Sequence, residues 1–187
     1  MRIIAGLFKG KKILEPADIK TRPLKDLTKE SIFNIIQHSN KFKVQLVNAN
    51  ILDIFSGVGS FGIECISRGA KKVTFIENYQ GVLPILKKNL SNLKINFNFE
   101  VIEKDVYEDK VLADLNDKFD VIFLDPPFKY STIDLILIKL QIFKILKKNG
   151  IIILHRHKSE NHNFPKNFKI IEEKKYGLSK IFFINLN

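Results

Sequence analysis

Hydrophobic and polar positions follow one pattern in the first fifty residues and another in the rest of the chain. Short apolar runs at residues 2–5 and 11–14 surround a glycine-containing turn, which predicts a β-hairpin. Residues 16–23 begin and end with proline and predict a loop, because the residue before a proline is disfavoured in a helix. Apolar residues then recur at helical spacing over 27–36, with Asp26 or Thr28 as the candidate N-cap. We therefore predict a small hairpin-and-helix extension over residues 1–48.

From residue 49 onward, apolar runs alternate with amphipathic stretches. The runs predict strands at residues 51–55, 73–77, 97–103, 119–124 and 151–154. The stretches between them predict helices at residues 60–68, 83–93, 106–115 and 132–148, the last ending at Asn149-Gly150. Residues 168–174 and 180–186 flank a turn and predict a terminal antiparallel hairpin. Alternating strands and helices predict a mostly parallel sheet, whose ligand binds beyond the carboxyl ends of the strands.

The composition is that of a single globular domain. The 187 residues are 45% hydrophobic and 27% charged, which is enough for a core and argues against disorder. One cysteine, Cys65, excludes an intramolecular disulfide framework and a cysteine-rich zinc site, and we expect it in the core. Residues 1–12 lack the apolar run of a secretory signal, and no stretch approaches the length of a membrane span. We therefore expect a soluble cytoplasmic protein.

The formal net charge of +11 is concentrated near the start of the chain. Residues 1–50 contain ten Lys or Arg and four Asp or Glu, so more than half of the surplus lies on about a quarter of the chain. A basic surface can bind nucleic acid or an anionic membrane, or can serve solubility alone. The charge therefore marks the extension as a candidate binding surface without identifying its partner.

A glycine-rich loop follows the first predicted strand of the sheet. It has the G-x-G-x-x-G spacing between a strand and a helix, which permits a tight turn and close approach of the backbone to a ligand. Glu77 lies 20 residues after the first glycine, where a carboxylate can accept hydrogen bonds from ribose hydroxyls. Asp53 ends the strand, and a carboxylate there suits a cationic ligand better than a diphosphate. This combination favours S-adenosylmethionine, and the candidate cofactor residues are Asp53, Ser56, Gly57, Gly59, Gly62 and Glu77.

The fourth predicted strand leads directly into Asp125-Pro126-Pro127-Phe128. Two prolines stiffen the loop and remove two amide donors, which leaves carbonyl oxygens and the Asp125 carboxylate as acceptors. Such acceptors can bind the N–H groups of an exocyclic amine and favour the geometry in which its lone pair attacks a methyl group. Phe128 offers a flat face for stacking of a base, a contact of about 1–3 kcal/mol. We predict that these four residues form the catalytic loop of an amino-methyltransferase.

Together these motifs resemble the RsmD family, the 16S ribosomal RNA guanine-N2 methyltransferases. The D-x-F-x-G-x-G loop and D-P-P-F belong to the wider class I methyltransferase superfamily. The opening R-I-I-A-G and the T-R-P…F-N block of residues 21–34 are the pieces that discriminate the family, the K-G-K-K of residues 9–12 also fits it, and the resemblance covers nearly the whole chain. It implies a Rossmann-like α/β fold with seven strands, mostly parallel, that ends in an antiparallel hairpin, with the methyltransferase domain at residues 49–187.

The resemblance also implies the substrate and further site residues. The expected reaction is methyl transfer from S-adenosylmethionine to the N2 amino group of one guanine, in the small subunit or a late assembly intermediate. It implies no metal and no membrane partner, and we expect a monomer. Asp105, after the third strand, would contact the adenine amino group of the cofactor. Residues expected to contact RNA are Arg2, Lys9, Lys11, Lys12 and Arg22.

Three segments depart from the family pattern. The usual D-R-x-R-E reads D-L-T-K-E at residues 26–30, and Lys29 would give a point charge to phosphate in place of a bidentate fork. Phe128 replaces the commoner tyrosine. His155-Arg156-His157 ends the fifth strand where the family has an acidic residue, and we interpret this trio as surface or RNA-facing charge.

Three other functions are compatible with parts of the sequence. An adenine-N6 methyltransferase of DNA or RNA would use the same D-P-P-F loop, but it usually needs a larger target-recognition domain. An NAD-dependent oxidoreductase would use the same glycine spacing. An RNA-binding protein with an inactive methyltransferase fold would use the basic extension to bind RNA and would have no catalytic activity.

Overall fold

A seven-stranded sheet forms the centre of the protein, as the alternation of apolar runs and amphipathic stretches predicts. The computed structural model describes residues 1–16, 24–94, 98–127, 132–160 and 164–186. The strands are β1 (Asn50–Ile54), β2 (Lys72–Ile76), β3 (Phe99–Ile102), β4 (Phe119–Leu124), β5 (Leu146–His157), β6 (Phe168–Tyr176) and β7 (Ser179–Leu186).

The order of the strands across the sheet is β3-β2-β1-β4-β5-β7-β6. Strands β1 to β5 pair in parallel, whereas β7 runs antiparallel to both β5 and β6. The predicted mostly parallel sheet and its terminal antiparallel hairpin are both confirmed. The order reverses between β1 and β4, and ligands of such sheets bind in the crevice beyond the carboxyl ends of the strands at this switch point.

Five helices connect the described strands or precede them. They are α1 (Asp26–His38), α2 (Ser60–Ser67), α3 (Leu83–Ser91), α4 (Asp109–Ala113) and α5 (Ile133–Ile142). Helices α2 and α3 lie within two residues of their predicted bounds, but α4 covers only five of the ten predicted residues. The predicted N-cap of α1 is wrong: Lys25 precedes the helix, and no side chain caps its first turn.

Helix α5 ends six residues before the predicted end at Lys148. Lys144 adopts a positive φ of 52°, and the N–H of Ile145 bonds to the carbonyl of Leu140 at 3.1 Å. The N–H of Lys144 bonds to the carbonyl of Gln141 at 3.1 Å, which completes a Schellman-type helix end. This position usually holds glycine, so a lysine there gave no sequence signal for a helix end. Asn149-Gly150, the predicted stop, instead lies inside β5.

Apolar side chains cover both faces of the sheet in two clusters. The face that carries Phe123 packs against α1, α2, α3 and the N-terminal segment, and it includes the buried Cys65 as expected. The opposite face, which carries Ile122, packs against α4 and α5. On the first face Phe61 of α2 stacks on Phe123 with ring centroids 4.1 Å apart, and Phe33 of α1 stacks on Phe61 at 5.1 Å.

The N-terminal segment, residues 1–16, forms a smaller hairpin than predicted. Its pairing consists of one antiparallel bridge between Arg2 and Lys12 and a few backbone bonds, such as Ile3 N–H to the Lys11 carbonyl at 3.0 Å. Its apolar side chains, Ile3, Phe8 and Ile13, are buried in the same cluster as α2. The extension therefore packs directly on the helix that follows the glycine loop. Among the described helices, none has the length and apolar character needed to cross a membrane.

Candidate active site

The glycine loop lies between β1 and α2, at the carboxyl edge of the sheet. Asp53 is 1% exposed, and its Oδ2 accepts a hydrogen bond from the N–H of Gly62 at 2.9 Å, which ties the strand to the first turn of α2. A Cβ on Gly62 would lie 2.3 Å from the ring of Phe75, so glycine permits the close packing of α2 on β2. A Cβ on Gly59 would meet Leu86 at 2.5 Å. These two glycines are needed for packing.

Gly57 differs from the other two glycines of the loop in the space beside it. Its φ is positive, at +55°, as is that of Gly59, but a Cβ built on Gly57 would meet no atom within 4 Å. The preceding serine, Ser56, is buried, and its Oγ has no hydrogen-bond partner among the described residues. Open space beside an exposed backbone and an unpaired buried hydroxyl are what a ligand-binding loop requires.

Glu77 follows β2 and bonds directly to the glycine loop. Its Oε2 accepts from the N–H of Gly57 at 2.7 Å, and its Oε1 accepts from the N–H groups of Asn78 and Tyr79 at 2.9 and 2.8 Å. These three bonds hold the carboxylate in one orientation beside the loop. A carboxylate has about four acceptor sites, so one remains for a hydroxyl of a ligand.

Burial gives Asp53 unusual electrostatics. Desolvation raises the pKa of its carboxyl group well above the ordinary value, and the charges of Asp125 and Glu77 raise it further, whereas the Gly62 N–H opposes the shift. A cationic ligand beside these carboxylates would favour the ionised form. The burial, the orphaned Ser56 hydroxyl and the open space at Gly57 therefore fit a ligand with a sulfonium and an ammonium group, as in S-adenosylmethionine.

Asp105 follows β3 and is partly exposed. Its Oδ1 accepts from the N–H of Tyr107 at 2.9 Å, while Glu108 bonds back to the Asp105 N–H at 3.3 Å. This local turn holds the side chain near the carboxyl edge of the sheet. Whether the carboxylate contacts adenine stays a prediction.

The catalytic loop begins where β4 ends, next to β1. The N–H of Asp125 bonds to the carbonyl of Ile54 at 3.4 Å, Pro126 is buried and Pro127 is exposed. Asp53 of β1 pairs with Phe123 of β4 and Ile54 pairs with Leu124, so Asp125 follows directly beside the end of β1, across the switch point from Asp53. Phe128 lies outside the described residues, so its stacking role stays a prediction.

The interpretation of the His155 trio as surface charge is wrong for two of its members. His155 is 6% exposed and its Nδ1 lies 2.8 Å from Oδ1 of Asp125, while Arg156 is 1% exposed and pairs with Glu160. The register of β4 and β5 explains this contact, because Leu124 pairs with Leu154 and the next residues are neighbours. The apolar run before His155 was the signal that a sequence reading could have used.

The candidate RNA-contacting residues that the structure describes are all exposed. They are Arg2, Lys9, Lys11 and Lys12, and Arg22 lies outside the described residues. The turn of the hairpin lies against the last turn of α2, where Leu7 N–H bonds to the Ser67 carbonyl at 2.7 Å. Helix α2 begins at the glycine loop and rises 1.5 Å per residue, so its last turn lies roughly 10 Å from that loop. Lys9, in this turn, therefore lies near the end of α2 that is further from the glycine loop.

The expectation that Lys29 contacts phosphate is wrong, because its side chain is 0% exposed. Its Nζ donates to the carbonyl of Arg2 at 2.8 Å and to Oγ of Ser60 at 3.3 Å, and it lies 3.8 Å from the Glu64 carboxylate. Helical spacing from Asp26 could have placed Lys29 on the same face as Ile32 and Phe33. Lys29 links the hairpin to the first residue of α2.

Comparison with known proteins identifies the family to which the chain belongs. A family model described as "Conserved hypothetical protein 95" matches residues 1–185. Ribosomal RNA small subunit methyltransferase D of Haemophilus influenzae is 35% identical over 179 residues, which cover 95% of this chain and 90% of that protein. The solved structure of a candidate methyltransferase of Escherichia coli has a TM-score of 0.83 and 28% identity, with 100% of this chain and 97% of that chain covered.

A second solved structure, of a candidate methylase of Haemophilus influenzae, has a TM-score of 0.77 and 34% identity, and the match covers 100% of this chain and 98% of that chain. These similarities extend through the hairpin, the glycine loop and the catalytic loop, so they confirm the resemblance that the motifs indicate. The chain accordingly belongs to the RsmD family of class I methyltransferases, the family described as "Conserved hypothetical protein 95".

Proposed function

We propose that this protein transfers a methyl group from S-adenosylmethionine to the exocyclic N2 amino group of a specific guanine in 16S ribosomal RNA. The related protein of Haemophilus influenzae, whose name describes a small-subunit rRNA methyltransferase, supports the rRNA substrate. One observation carries the reaction type: Asp125-Pro126-Pro127 lies at the switch point, beside the loop of Asp53. We expect the protein to act in the cytoplasm as a monomer, on the small subunit or a late assembly intermediate.

The residues around the glycine loop would hold the cofactor. The backbone at Gly57, which has open space beside it, and the unpaired Ser56 hydroxyl would contact the cofactor, and Glu77 would accept from its ribose hydroxyls. Asp53, kept near Glu77 and Asp125, would attract the positively charged end of the cofactor, and Asp105 would contact its adenine. When bound, S-adenosylmethionine supplies a methyl carbon activated by the adjacent sulfonium.

The catalytic loop would hold the target base. Asp125 and the carbonyl of Pro126 would accept hydrogen bonds from the two N–H groups of the guanine amine, which orients its lone pair. The amino nitrogen would then attack the methyl carbon as the carbon–sulfur bond breaks, and Asp125 would take the proton that the methylated nitrogen releases. Phe128 would stack on the base, which must first leave its own stack.

The basic extension would bind the RNA backbone. Arg2, Lys11 and Lys12 are exposed on the two arms of the hairpin, near the point where Lys29 links Arg2 to Ser60 of α2. Lys9 is exposed in the turn of the hairpin. Contacts from these residues, and from Arg22, would give affinity that falls as salt rises, since phosphate binding releases counterions. The proposed division of the chain at residue 48 separates this RNA-contacting extension from the methyltransferase domain.

The test is methylation of small ribosomal subunits from cells that lack this enzyme. Purified protein and labelled S-adenosylmethionine should place label in N2-methylguanosine, identified by mass spectrometry of digested 16S RNA. The Asp125→Ala variant should lose at least about 10²-fold in kcat, because the acceptor for the amine is gone, and should bind cofactor within a few-fold of wild type.

Two results would contradict the proposed reaction, and a third would contradict the role of Asp125. Label recovered as N6-methyladenosine would favour the adenine methyltransferase, and tight NAD binding without S-adenosylmethionine binding would favour the oxidoreductase. An Asp125→Ala variant with full activity would remove Asp125 from the mechanism. Asp114→Ala, at an exposed aspartate outside the site, is the control and should retain wild-type activity.

A further inference from the structure

Three polar side chains lie together at the carboxyl edge of the sheet: Asp125 directly after β4, His155 in β5 and Ser179 at the start of β7. Leu124 of β4 pairs with Leu154 of β5, so Asp125 and His155 are the next neighbours in this parallel register. His155 pairs with Ile181 of β7, and Ser179 lies two residues away on the same face. The fold therefore assembles Asp125, His155 and Ser179 from residues that are 24 or more positions apart.

The three side chains form a continuous hydrogen-bonded chain. Nδ1 of His155 lies 2.8 Å from Oδ1 of Asp125, and Nε2 lies 2.9 Å from Oγ of Ser179. In the tautomer with its proton on Nδ1, the ring donates to Asp125, and the Ser179 hydroxyl can then donate to Nε2. Oδ2 of Asp125 makes no hydrogen bond to any residue that the structure describes.

The side chains of His155 and Asp125 differ in burial, as expected if the more buried ring holds the carboxylate in place. The side chain of His155 is 8% exposed, whereas that of Asp125 is 18% exposed at the edge of the crevice. The ring is thus held inside the fold, and the carboxylate it contacts is the more accessible of the two groups. A group that must accept from a substrate amine needs a fixed orientation, which a loop after a strand does not supply alone.

We propose that His155 is a positioning residue for methyl transfer, which holds Asp125 by Oδ1 so that Oδ2 is the oxygen that accepts from the target amine. This inference rests on the proposed function. His155 does not touch the base or the cofactor in this assignment. Its Nδ1 holds the Asp125 carboxylate, and Ser179 holds the ring through Nε2.

The test compares two polar replacements at the same buried position, His155→Asn and His155→Gln. The amide nitrogen of asparagine can occupy the place of Nδ1 and donate to Asp125, whereas that of glutamine reaches the place of Nε2 and contacts Ser179. With subunits that lack the methyl group as substrate, we expect His155→Gln to lose about 10²-fold in kcat and His155→Asn to stay within about ten-fold of wild type. The KM for S-adenosylmethionine should change less than about three-fold in both.

Equal kcat values for the two variants would overturn the inference, as would a loss confined to the KM for cofactor. An inactive wild-type protein would instead refute the proposed function, so the two failures are distinguishable. A measurement on wild type avoids any loss of folding in the variants. ¹⁵N NMR of the imidazole should find the proton of the neutral ring on Nδ1, and a neutral ring with its proton on Nε2 would also overturn the inference.

Discussion

At the scale of a single residue, the buried carboxyl group of Asp53 affects both ligand binding and the stability of the native state. It is 1% exposed and accepts one backbone hydrogen bond, from Gly62. Burial raises its pKa well above the ordinary value, and the charges of Asp125 and Glu77 act in the same direction. The native state therefore holds a proton at Asp53 that the unfolded chain releases near pH 4. Ionising Asp53 without a cationic ligand beside it therefore lowers the stability of the native state.

Replacing Asp53 with asparagine should remove this dependence on pH. Because the native carboxyl has the higher pKa, wild-type stability falls as pH rises from about 4 through the native pKa, by at most about 1.4 kcal/mol per pH unit. Asparagine keeps an acceptor for the Gly62 N–H and cannot ionise. We expect Asp53→Asn to be more stable than wild type at pH 8, with a smaller gain at pH 5, and to bind S-adenosylmethionine more weakly.

Urea denaturation at pH 5, 6.5 and 8 measures this difference. Asp114→Asn, at an exposed aspartate, serves as the control and should show no comparable dependence on pH. A gain for Asp53→Asn that is the same at all three pH values, or that grows toward acid, would show that Asp53 is ionised in the native state throughout.

At the scale of an element, α5 shows how a helix end can lack a sequence signal. The amphipathic pattern continues past Ile142, but the helix ends there because Lys144 adopts the left-handed conformation and Ile145 turns back to bond to Leu140. Ile145 and Leu140 are both buried in the cluster below α5. Burial of Ile145 and pairing of Leu146 with Phe119 of β4 outweigh the strain at Lys144.

Lys144→Gly should therefore stabilise the protein. Glycine adopts a positive φ without the cost of roughly 1–2 kcal/mol that other residues incur, and part of this gain is offset by the greater freedom of glycine in the unfolded chain. The expected net gain in the free energy of unfolding is about 0.5–1 kcal/mol. Lys144 is exposed, so its side chain contributes little packing.

Equilibrium unfolding in urea gives the comparison, with Lys148→Gly as the matched control. Lys148 is also an exposed lysine, but it lies in the extended backbone of β5, where glycine weakens a strand. We expect the two substitutions to change stability in opposite directions. Destabilisation by Lys144→Gly would mean that the lysine side chain supports the helix end.

At the scale of the whole molecule, a buried polar network joins the N-terminal hairpin to α2. Glu64 of α2 accepts from the N–H groups of Ile4 and Ala5 at 2.8 and 2.9 Å and from Nε of Arg68 at 2.9 Å. The ammonium of Lys29 lies 3.8 Å from the same carboxylate, and burial lowers its pKa. The proposed RNA-contacting hairpin is thus attached to the helix that begins at the glycine loop.

Glu64→Ala should destabilise the protein by about 3–5 kcal/mol, because it removes the buried carboxylate that pairs with the buried ammonium of Lys29 and leaves two backbone N–H groups without their acceptor. Glu103→Ala removes the surface partner of Lys87 and should cost less than about 1 kcal/mol. Urea unfolding of both variants at neutral pH gives the comparison. Similar, small effects for the two would show that the network contributes little to the attachment of the hairpin.

The sequence alone determined the order and type of most elements, because apolar periodicity and turn residues act over short distances. It also indicated Asp53, the glycine loop, Glu77 and Asp125, since these lie at or just after the carboxyl ends of predicted strands. Tertiary structure decided whatever depends on partners distant in the chain, and three charged or polar residues show this. Lys29 is buried against α2, His155 contacts Asp125, and Arg156 pairs inside the fold. A charged residue looks exposed in a sequence, and only the register of strands and the packing of helices can supply the partners that allow its burial.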